Sequence, residues 1–305
     1  MIKNFFTVLH EKLFANMFWQ SYKTTLKTLL RSAIFWMGAV AAFGIIMYAA
    51  IRVNYSYVVV EDNKIMDTIL DTDPRYKLKY ATIIQVILNL RAWMAMYSLP
   101  IFAVVSTMLV LTRNHSDNFY EIERAGNVSP ASYLIGRITA LVTVNTVVCL
   151  VCAFVSFYYY YYSRGGLPSW STEWMLKTTV PRVLRQCIYG IMPGIIFHIA
   201  LTYLVGSLVK NGIVGGVAGL VYVLFNYLTY TSLRRNISEV YHNYFSPFTW
   251  GIQQWWAFKD TEWFDEKAIH NTFYEKDMIL AYTFILGFSL VTFIISYLLT
   301  RRRTR

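Results

Sequence analysis

The chain has 305 residues, of which 56% are hydrophobic and only 15% charged, and its formal net charge is +11. Soluble domains usually contain about 25% charged residues, so this composition is typical of a membrane protein. The positive charge alone could suggest a nucleic-acid-binding protein. However, the excess lies mainly in the terminal segments 1–31 and 301–305, where basic flanks of membrane spans are expected. We therefore expect a lipid bilayer, and no nucleic acid, as a partner.

The N-terminal segment 1–31 predicts an amphipathic helix that lies in the cytoplasmic membrane interface as an elbow before the first span. Its apolar residues recur at helical spacing, with charged residues between them. The alternative is a tail that is ordered only near the membrane. The apolar positions are Ile2, Phe6, Leu9, Leu13 and Met17.

Six uncharged windows follow, each long enough for a helix to cross a hydrocarbon core of about 30 Å. They predict an all-α integral membrane protein in which residues 32–305 form a transmembrane domain of six helices. The windows are 32–51, 92–112, 138–163, 186–209, 211–233 and 278–300. Arginine side chains next to the windows are expected to snorkel to the interface. They are Arg31, Arg52, Arg91, Arg113, Arg137, Arg164 and Arg185.

The basic tails place both termini in the cytoplasm by the positive-inside rule, as an even number of spans requires. Segment 113–137 and a tight turn at Lys210 are then cytoplasmic, while 52–91, 164–185 and 234–277 are external. The last of these combines many aromatic residues with charges of both signs, which predicts re-entrant or interfacial helices before the last span. We expect a multi-pass protein of the cell membrane.

Recognisable catalytic and nucleotide-binding motifs are absent from the sequence. It contains no G-x-x-x-x-G-K-[ST], no H-E-x-x-H and no G-x-S-x-G. Cys149 and Cys152 have redox-like spacing, but within a predicted span they are best interpreted as small packing residues. No catalytic residue, metal site or bound cofactor is predicted for this chain, which is therefore not expected to be an enzyme.

Polar and small residues within the predicted spans are candidates for a transport pathway or for helix packing. Asn145, His198 and Asn226 are either polar groups of a transport pathway or hydrogen-bonding groups between helices. Pro193-Gly194 predicts a bend or a local break in the fourth span. Glycines at four-residue spacing in the fifth span predict close helix packing, either within the bundle or in a dimer interface. These glycines are Gly212, Gly215, Gly216 and Gly219.

A short polar segment between the second and third spans predicts a helix joined at both ends to membrane helices. Asp117 or Asn118 can cap its start, and Gly126 can end it. Ser129-Pro130 then supplies the cap and first position of a helix that continues into the third span. Such a segment, which displays both acids and a base at the membrane face, is suited to docking another protein.

The stretch from Asn118 to Arg137 resembles the connection between the second and third spans of type 2 ABC exporter permeases. The resemblance implies a permease that pairs with a second permease copy or homologue and with separate ABC ATP-binding subunits, which would hold ATP and magnesium. It also implies that 117–126 is the coupling helix and that the second and fifth spans line the pathway. The docking residues would be Asp117, Asn118, Tyr120, Glu121, Glu123 and Arg124.

Two other classes of function remain open. An ATP-independent secondary carrier or channel would usually need ionisable groups within the spans, and the six windows contain no acid. A membrane-embedded enzyme or signalling subunit would need a catalytic pair, for which only His198 with a serine or tyrosine is available. Uncharged, aromatic-rich spans favour an amphipathic or apolar cargo, such as a peptide, drug or lipid-like molecule.

Overall fold

The computed structural model describes residues 15–52, 90–116, 130–162, 180–231 and 275–303. Within these ranges every residue is helical except for two turns, Arg31–Ser32 and Lys210–Asn211. The predicted all-α class is therefore confirmed for the described residues. The coupling segment 117–126, the start of the predicted elbow and most of the external segments 52–91 and 234–277 lie outside them.

Eight α-helices and two π-helical segments make up this part of the chain. The first π-segment, Leu90–Ser98, leads into α3, and the second, Gln186–Ile191, joins α5 to α6. The second ends just before Pro193 of the predicted Pro-Gly break, at the start of α6. The α-helices are α1 (Ala15–Leu30), α2 (Ala33–Arg52), α3 (Leu99–Ser116), α4 (Pro130–Tyr162), α5 (Val180–Arg185), α6 (Met192–Val209), α7 (Gly212–Thr231) and α8 (Glu275–Arg303).

Five stretches of the described chain are long and apolar enough to cross a membrane, which supports a multi-pass membrane protein. Each overlaps one predicted span. The fifth predicted span, 211–233, corresponds to α7, whose apolar stretch Gly212–Leu228 is shorter than the others. The five stretches are Ala33–Ile51, Trp93–Arg113, Ala131–Tyr159, Val180–Val209 and Met278–Leu299.

Helices α3 and α6 form the interior of the bundle. In the most apolar part of each spanning stretch, 72% of the residues are buried for α3 and 67% for α6. The corresponding share is only 28% for α2 and 28% for α8. Helix α6 contacts α3, α7 and α8, so it is the helix around which the others pack. The outer helices instead expose large aliphatic and aromatic side chains, as expected of surfaces that face lipid.

Helix α1 packs against α4. Its buried face consists of Ser21, Thr25 and Leu29, which recur every four residues and therefore lie along one side of the helix. This face is mostly small and polar, whereas the predicted elbow was defined by large apolar residues. Of those residues, Ile2, Phe6, Leu9 and Leu13 lie outside the described ranges.

The turn between α6 and α7 is closed by two adjacent residues. Lys210 adopts a left-handed conformation with φ 58° directly after α6, and Asn211 immediately precedes α7. The Asn211 side-chain oxygen accepts hydrogen bonds from the backbone N–H groups of Ile213 at 2.9 Å and Val214 at 3.4 Å. This is the side-chain arrangement that satisfies the unpaired donors at a helix start. The predicted tight turn at Lys210 is confirmed.

Several helix ends meet at one end of the bundle, which we call the α1 end. There Gly212 of the α6–α7 turn lies against Thr112 near the end of α3. Leu111, Leu134 and Tyr203 form a buried cluster against which Tyr297, near the end of α8, also packs. Because α3 and α6 both run towards this end, the two π-segments lie at the opposite end of the bundle.

Candidate functional site

The candidate docking region is flanked by α3, which ends at Ser116, and α4, which begins at Pro130. The predicted contact residues Asp117, Asn118, Tyr120, Glu121, Glu123 and Arg124 lie between them, outside the described residues. The structure therefore defines the two helices to which the segment is joined. Both helices belong to the packed bundle at the α1 end.

The first turns of α4 are held tightly by α1. The Ser21 hydroxyl donates a hydrogen bond of 2.8 Å to the backbone carbonyl oxygen of Tyr133. One turn further along α4, Gly136 lies so close to α1 that an added Cβ would be 2.7 Å from the carbonyl oxygen of Phe18. Only glycine allows this approach, because the contacting atom belongs to backbone and cannot rotate away. The start of α4 and helix α1 therefore form one packed unit.

Arg137 lies in this unit and is only 1% exposed. Its guanidinium carbon is 3.6 Å from the centroid of the Tyr133 ring, and its Nη2 donates a hydrogen bond to the Tyr133 hydroxyl. The expectation that Arg137 snorkels to the interface is therefore wrong. A planar, weakly hydrated guanidinium can be buried over an aromatic face, which compensates part of the lost hydration. The sequence signal for this burial was Tyr133, which precedes Arg137 by four residues and therefore lies on the same side of the helix.

Asn145 lies in the interface between α4 and α3 and is fully buried. Its side-chain nitrogen donates to the Ser106 hydroxyl at 3.2 Å and to the Leu141 carbonyl oxygen at 2.8 Å. Its side-chain oxygen has no hydrogen-bond partner. Asn145 thus links two membrane helices and retains one unused acceptor.

His198 lies on α6 and faces α7, and Asn226 is a buried residue of α7. The Nδ1 of His198 is 2.7 Å from the Gly194 carbonyl oxygen, and the His198 ring lies 6.0 Å from the ring of Tyr222. Asn226 donates to the Tyr222 carbonyl oxygen at 3.1 Å. Tyr222 thus neighbours His198 through its ring and Asn226 through its backbone carbonyl oxygen, whereas Asn145 lies between α4 and α3.

The glycine face of α7 is covered by α3 and α6 of the same chain. A Cβ added to Gly215 would lie 2.7 Å from the Cα of Gly206 on α6. Gly212 faces Thr112, Gly216 faces Met108, and Gly219 faces Thr202 and Val104. The four glycines thus make contacts within one chain. A second copy meeting α7 would use its opposite face, where large aliphatic side chains are exposed.

Gln186, which the sequence indicated only as the start of a predicted span, opens the second π-segment. It is fully buried, and neither its side-chain oxygen nor its nitrogen has a hydrogen-bond partner. Gly190 lies against this amide, and the second π-segment also packs against the first. Buried polar groups are nearly always hydrogen-bonded, and π-helical segments are frequent at functional sites. Gln186 is therefore a further pathway candidate, at the end of the bundle opposite α1.

Groups of metal-ligating side chains and free thiols can be surveyed only among the described residues. There, no group of three His, Cys, Asp or Glu side chains is arranged to hold a metal ion. Cys149, Cys152 and Cys187 are free thiols and are buried. Their burial among aliphatic residues fits the interpretation of Cys149 and Cys152 as packing residues.

Comparisons with known protein families, with curated proteins and with solved structures find no match to this chain.

Proposed function

We propose that this chain is the permease subunit of an ATP-driven ABC exporter. In this proposal it forms the translocation pathway, together with a second permease copy or homologue, and hydrolyses no ATP itself. Separate ATP-binding subunits, which hold ATP and magnesium, dock on residues 117–126. The chain has six spans, an interfacial elbow helix that includes α1, and both termini in the cytoplasm of the cell.

The observation that carries the proposal is how the candidate coupling segment is attached. Thirteen residues, 117–129, separate the end of α3 from the start of α4. Helix α3 belongs to the interior of the bundle, and the start of α4 is fixed to α1 by the Ser21–Tyr133 hydrogen bond and the Gly136 contact. In this proposal, a protein that docks on this short segment acts directly beside the ends of two packed membrane helices.

This attachment suggests how movement would reach the pathway. Helix α3 packs against both α6 and α7, and the glycine contacts leave little free space between α7 and its two neighbours. Closely packed interfaces respond to displacement by moving as units between discrete arrangements. A shift of α3 would then be transmitted to α7 and to the polar groups around Tyr222.

The proposed energy source is consistent with the charges of the bundle. Residues 15–52, 90–116, 130–162 and 180–231 contain no Asp or Glu. Carriers that couple transport to protons usually bury such acids in their spans. A partner that hydrolyses ATP supplies energy without them. An interior that holds no acid in these ranges, with amides at Asn145, Gln186 and Asn226, favours an amphipathic cargo.

A charge-reversal experiment tests the docking role directly. The triple variant E121K/E123K/R124E changes the charges of the segment without touching the described helices. We expect it to insert normally but to lose co-purification of an ATP-binding subunit and ATP-dependent transport. The measurements are affinity purification from the native membrane with mass spectrometry and an ATPase assay on the eluate.

The matched control is E61K/D62K/K64E, which makes the same charge changes in the predicted external segment 52–91. It is expected to keep the ATP-binding subunit. The proposal would be contradicted if the 121–124 variant still co-purified the ATP-binding subunit. It would also be contradicted if the wild-type protein carried no ATPase activity under conditions that preserve other membrane complexes. Either result would favour an ATP-independent carrier.

A further inference from the structure

The amide of Gln186, at the start of the second π-segment, has an unused donor and an unused acceptor. The side chain is fully buried, and neither its Oε1 nor its Nε2 has a hydrogen-bond partner among the described residues. Buried polar groups are nearly always paired, because an amide that leaves water without gaining a hydrogen bond is strongly disfavoured. The unpaired amide therefore points to a partner from outside the chain.

Gly190, four residues further along the same segment, makes room for this amide. An added Cβ there would lie 3.0 Å from the Cδ, the Nε2 and the Oε1 of Gln186 alike. A point at this equal distance from the three atoms lies above the amide plane, so the flat face of the amide rests on Gly190 and its polar edge is directed elsewhere. Glycine is otherwise unfavourable within a helix. Two locally unfavourable features in direct contact are typical of a functional site.

The buried residues next to Gln186 are apolar. Cys187 and Ile191 of the same segment belong to one hydrophobic cluster, together with Cys149 of α4 and Met94 of the first π-segment. Residues 90–116, 130–162 and 180–231 supply no Asp or Glu. A charged group is poorly stabilised in apolar surroundings. The site is therefore suited to a neutral group that offers both a donor and an acceptor.

The second π-segment separates this amide from the surface of the bundle. Ile188 and Tyr189 are half-exposed, whereas Gln186 and Gly190 are buried. On the outer side, the Tyr282 hydroxyl of α8 donates a hydrogen bond to the Tyr189 carbonyl oxygen. The segment also packs against the first π-segment. A ligand would therefore reach the amide when the two π-segments separate, and π-helical segments are frequent at functional sites.

We propose that the Gln186 amide binds the backbone of an uncharged peptide. In an extended chain the N–H and C=O groups of one residue point to the same side. The peptide N–H would donate to Oε1, and Nε2 would donate to the peptide C=O. Because main-chain groups are recognised, binding should depend little on the peptide side chains. The inference rests on the proposed function, in which this chain forms the pathway, and names the class of cargo.

A calorimetric titration of the full-length protein in detergent tests the inference. The probe is acetyl-Ala-Leu-Ala-Leu-Ala-Leu-amide, an uncharged peptide, and a series of analogues replaces one amide at a time by an ester. An ester keeps the shape of the peptide but lacks the N–H donor. We expect saturable binding of the parent peptide and about fivefold weaker binding of at least one ester, since one hydrogen bond is lost.

Variants of the protein test the same contact from the other side. We expect Q186L to weaken binding of the parent peptide about 25-fold, because two hydrogen bonds are lost, and to abolish the difference between peptide and ester. G190A, which pushes the amide out of its position, should also weaken binding. The controls are Q20L, at an exposed amide on α1, and G287A, where an added Cβ meets nothing within 4 Å.

Three results would overturn the inference. They are the absence of saturable binding by the wild type, equal effects of Q186L and Q20L, and an ester series that binds as tightly as the parent throughout. A more stable Q186L with unchanged peptide binding would also overturn it, because the amide would then hold only a buried water. The titration needs no ATP-binding subunit, so a negative result leaves the co-purification test of the proposed function unaffected.

Discussion

The Ser21 hydroxyl donates a 2.8 Å hydrogen bond to the Tyr133 carbonyl oxygen, which fixes α1 to the first turns of α4. This bond joins residues 112 positions apart in the sequence, next to the segment that we propose as the coupling helix. The contact makes α1 a structural part of the bundle. Changes at this interface should therefore affect both the stability of the protein and the behaviour of the coupling segment.

Gly136→Ala should separate α1 from α4, because the new Cβ would lie 2.7 Å from the Phe18 carbonyl oxygen. Overpacking of this kind costs about 1–3 kcal/mol, so we expect a lower temperature of unfolding and faster proteolysis of α1. The controls are G44A and G287A, since an added Cβ at either position meets nothing within 4 Å. Equal stability of the three variants would show that α1 and α4 are not in close contact at Gly136.

Tyr133 should support the buried charge of Arg137 in two separable ways. Y133F removes the hydroxyl that accepts the Arg137 hydrogen bond but keeps the ring, while Y133L removes both. We expect stability to fall from wild type to Y133F and further to Y133L, with the ring contributing about 1–2 kcal/mol. Thermal unfolding in detergent measures the series.

A double-mutant cycle with R137M separates this pair from general packing. In the R137M background, Y133L should lower the free energy of unfolding less than it does in the wild type, because no buried charge then depends on the ring. V151A, at a valine of the same helix that is 50% exposed, should have little effect in either background. Additive effects of Y133L and R137M would argue that the pair is not coupled.

Gly215→Ala should weaken the packing of α7 against α6, since the added Cβ would lie 2.7 Å from the Gly206 Cα. We expect lower thermal stability of the single chain, while its mass in light scattering at fixed detergent concentration stays the same. G287A again serves as the control. A change in mass with unchanged stability would instead assign this glycine face to contact with another copy.

Gln186→Leu should stabilise the protein if no cargo is present. The wild-type amide is buried without a hydrogen-bond partner, which costs about 1–3 kcal/mol, and leucine of similar volume removes that penalty. Q20L, at an exposed amide on α1, should give no such gain. If Gln186 contacts cargo, Q186L should also reduce transport. A destabilised Q186L would show that the amide has a structural partner in the folded protein.

Composition and charge pattern were enough to predict the class of the protein and the approximate positions of its apolar helices. Uncharged windows of sufficient length can cross a membrane only as helices, because every backbone polar group must be satisfied inside the hydrocarbon. Local signals also predicted the start of α4 at Ser129-Pro130 and the tight turn at Lys210, since both depend on neighbouring residues alone. The docking residues in 117–126 remain predictions.

Which helix faces meet could be seen only once the helices were packed together. The spacing of Gly212, Gly215, Gly216 and Gly219 indicated a close contact, but whether its partner was the same chain or a second one depended on how α3 and α6 are placed. Arg137 had the sequence environment of an interfacial flank, yet it is 1% exposed and lies over the Tyr133 ring. The two π-helical segments likewise pack against each other although they are far apart in the chain, and a single sequence carries no local signal for that contact.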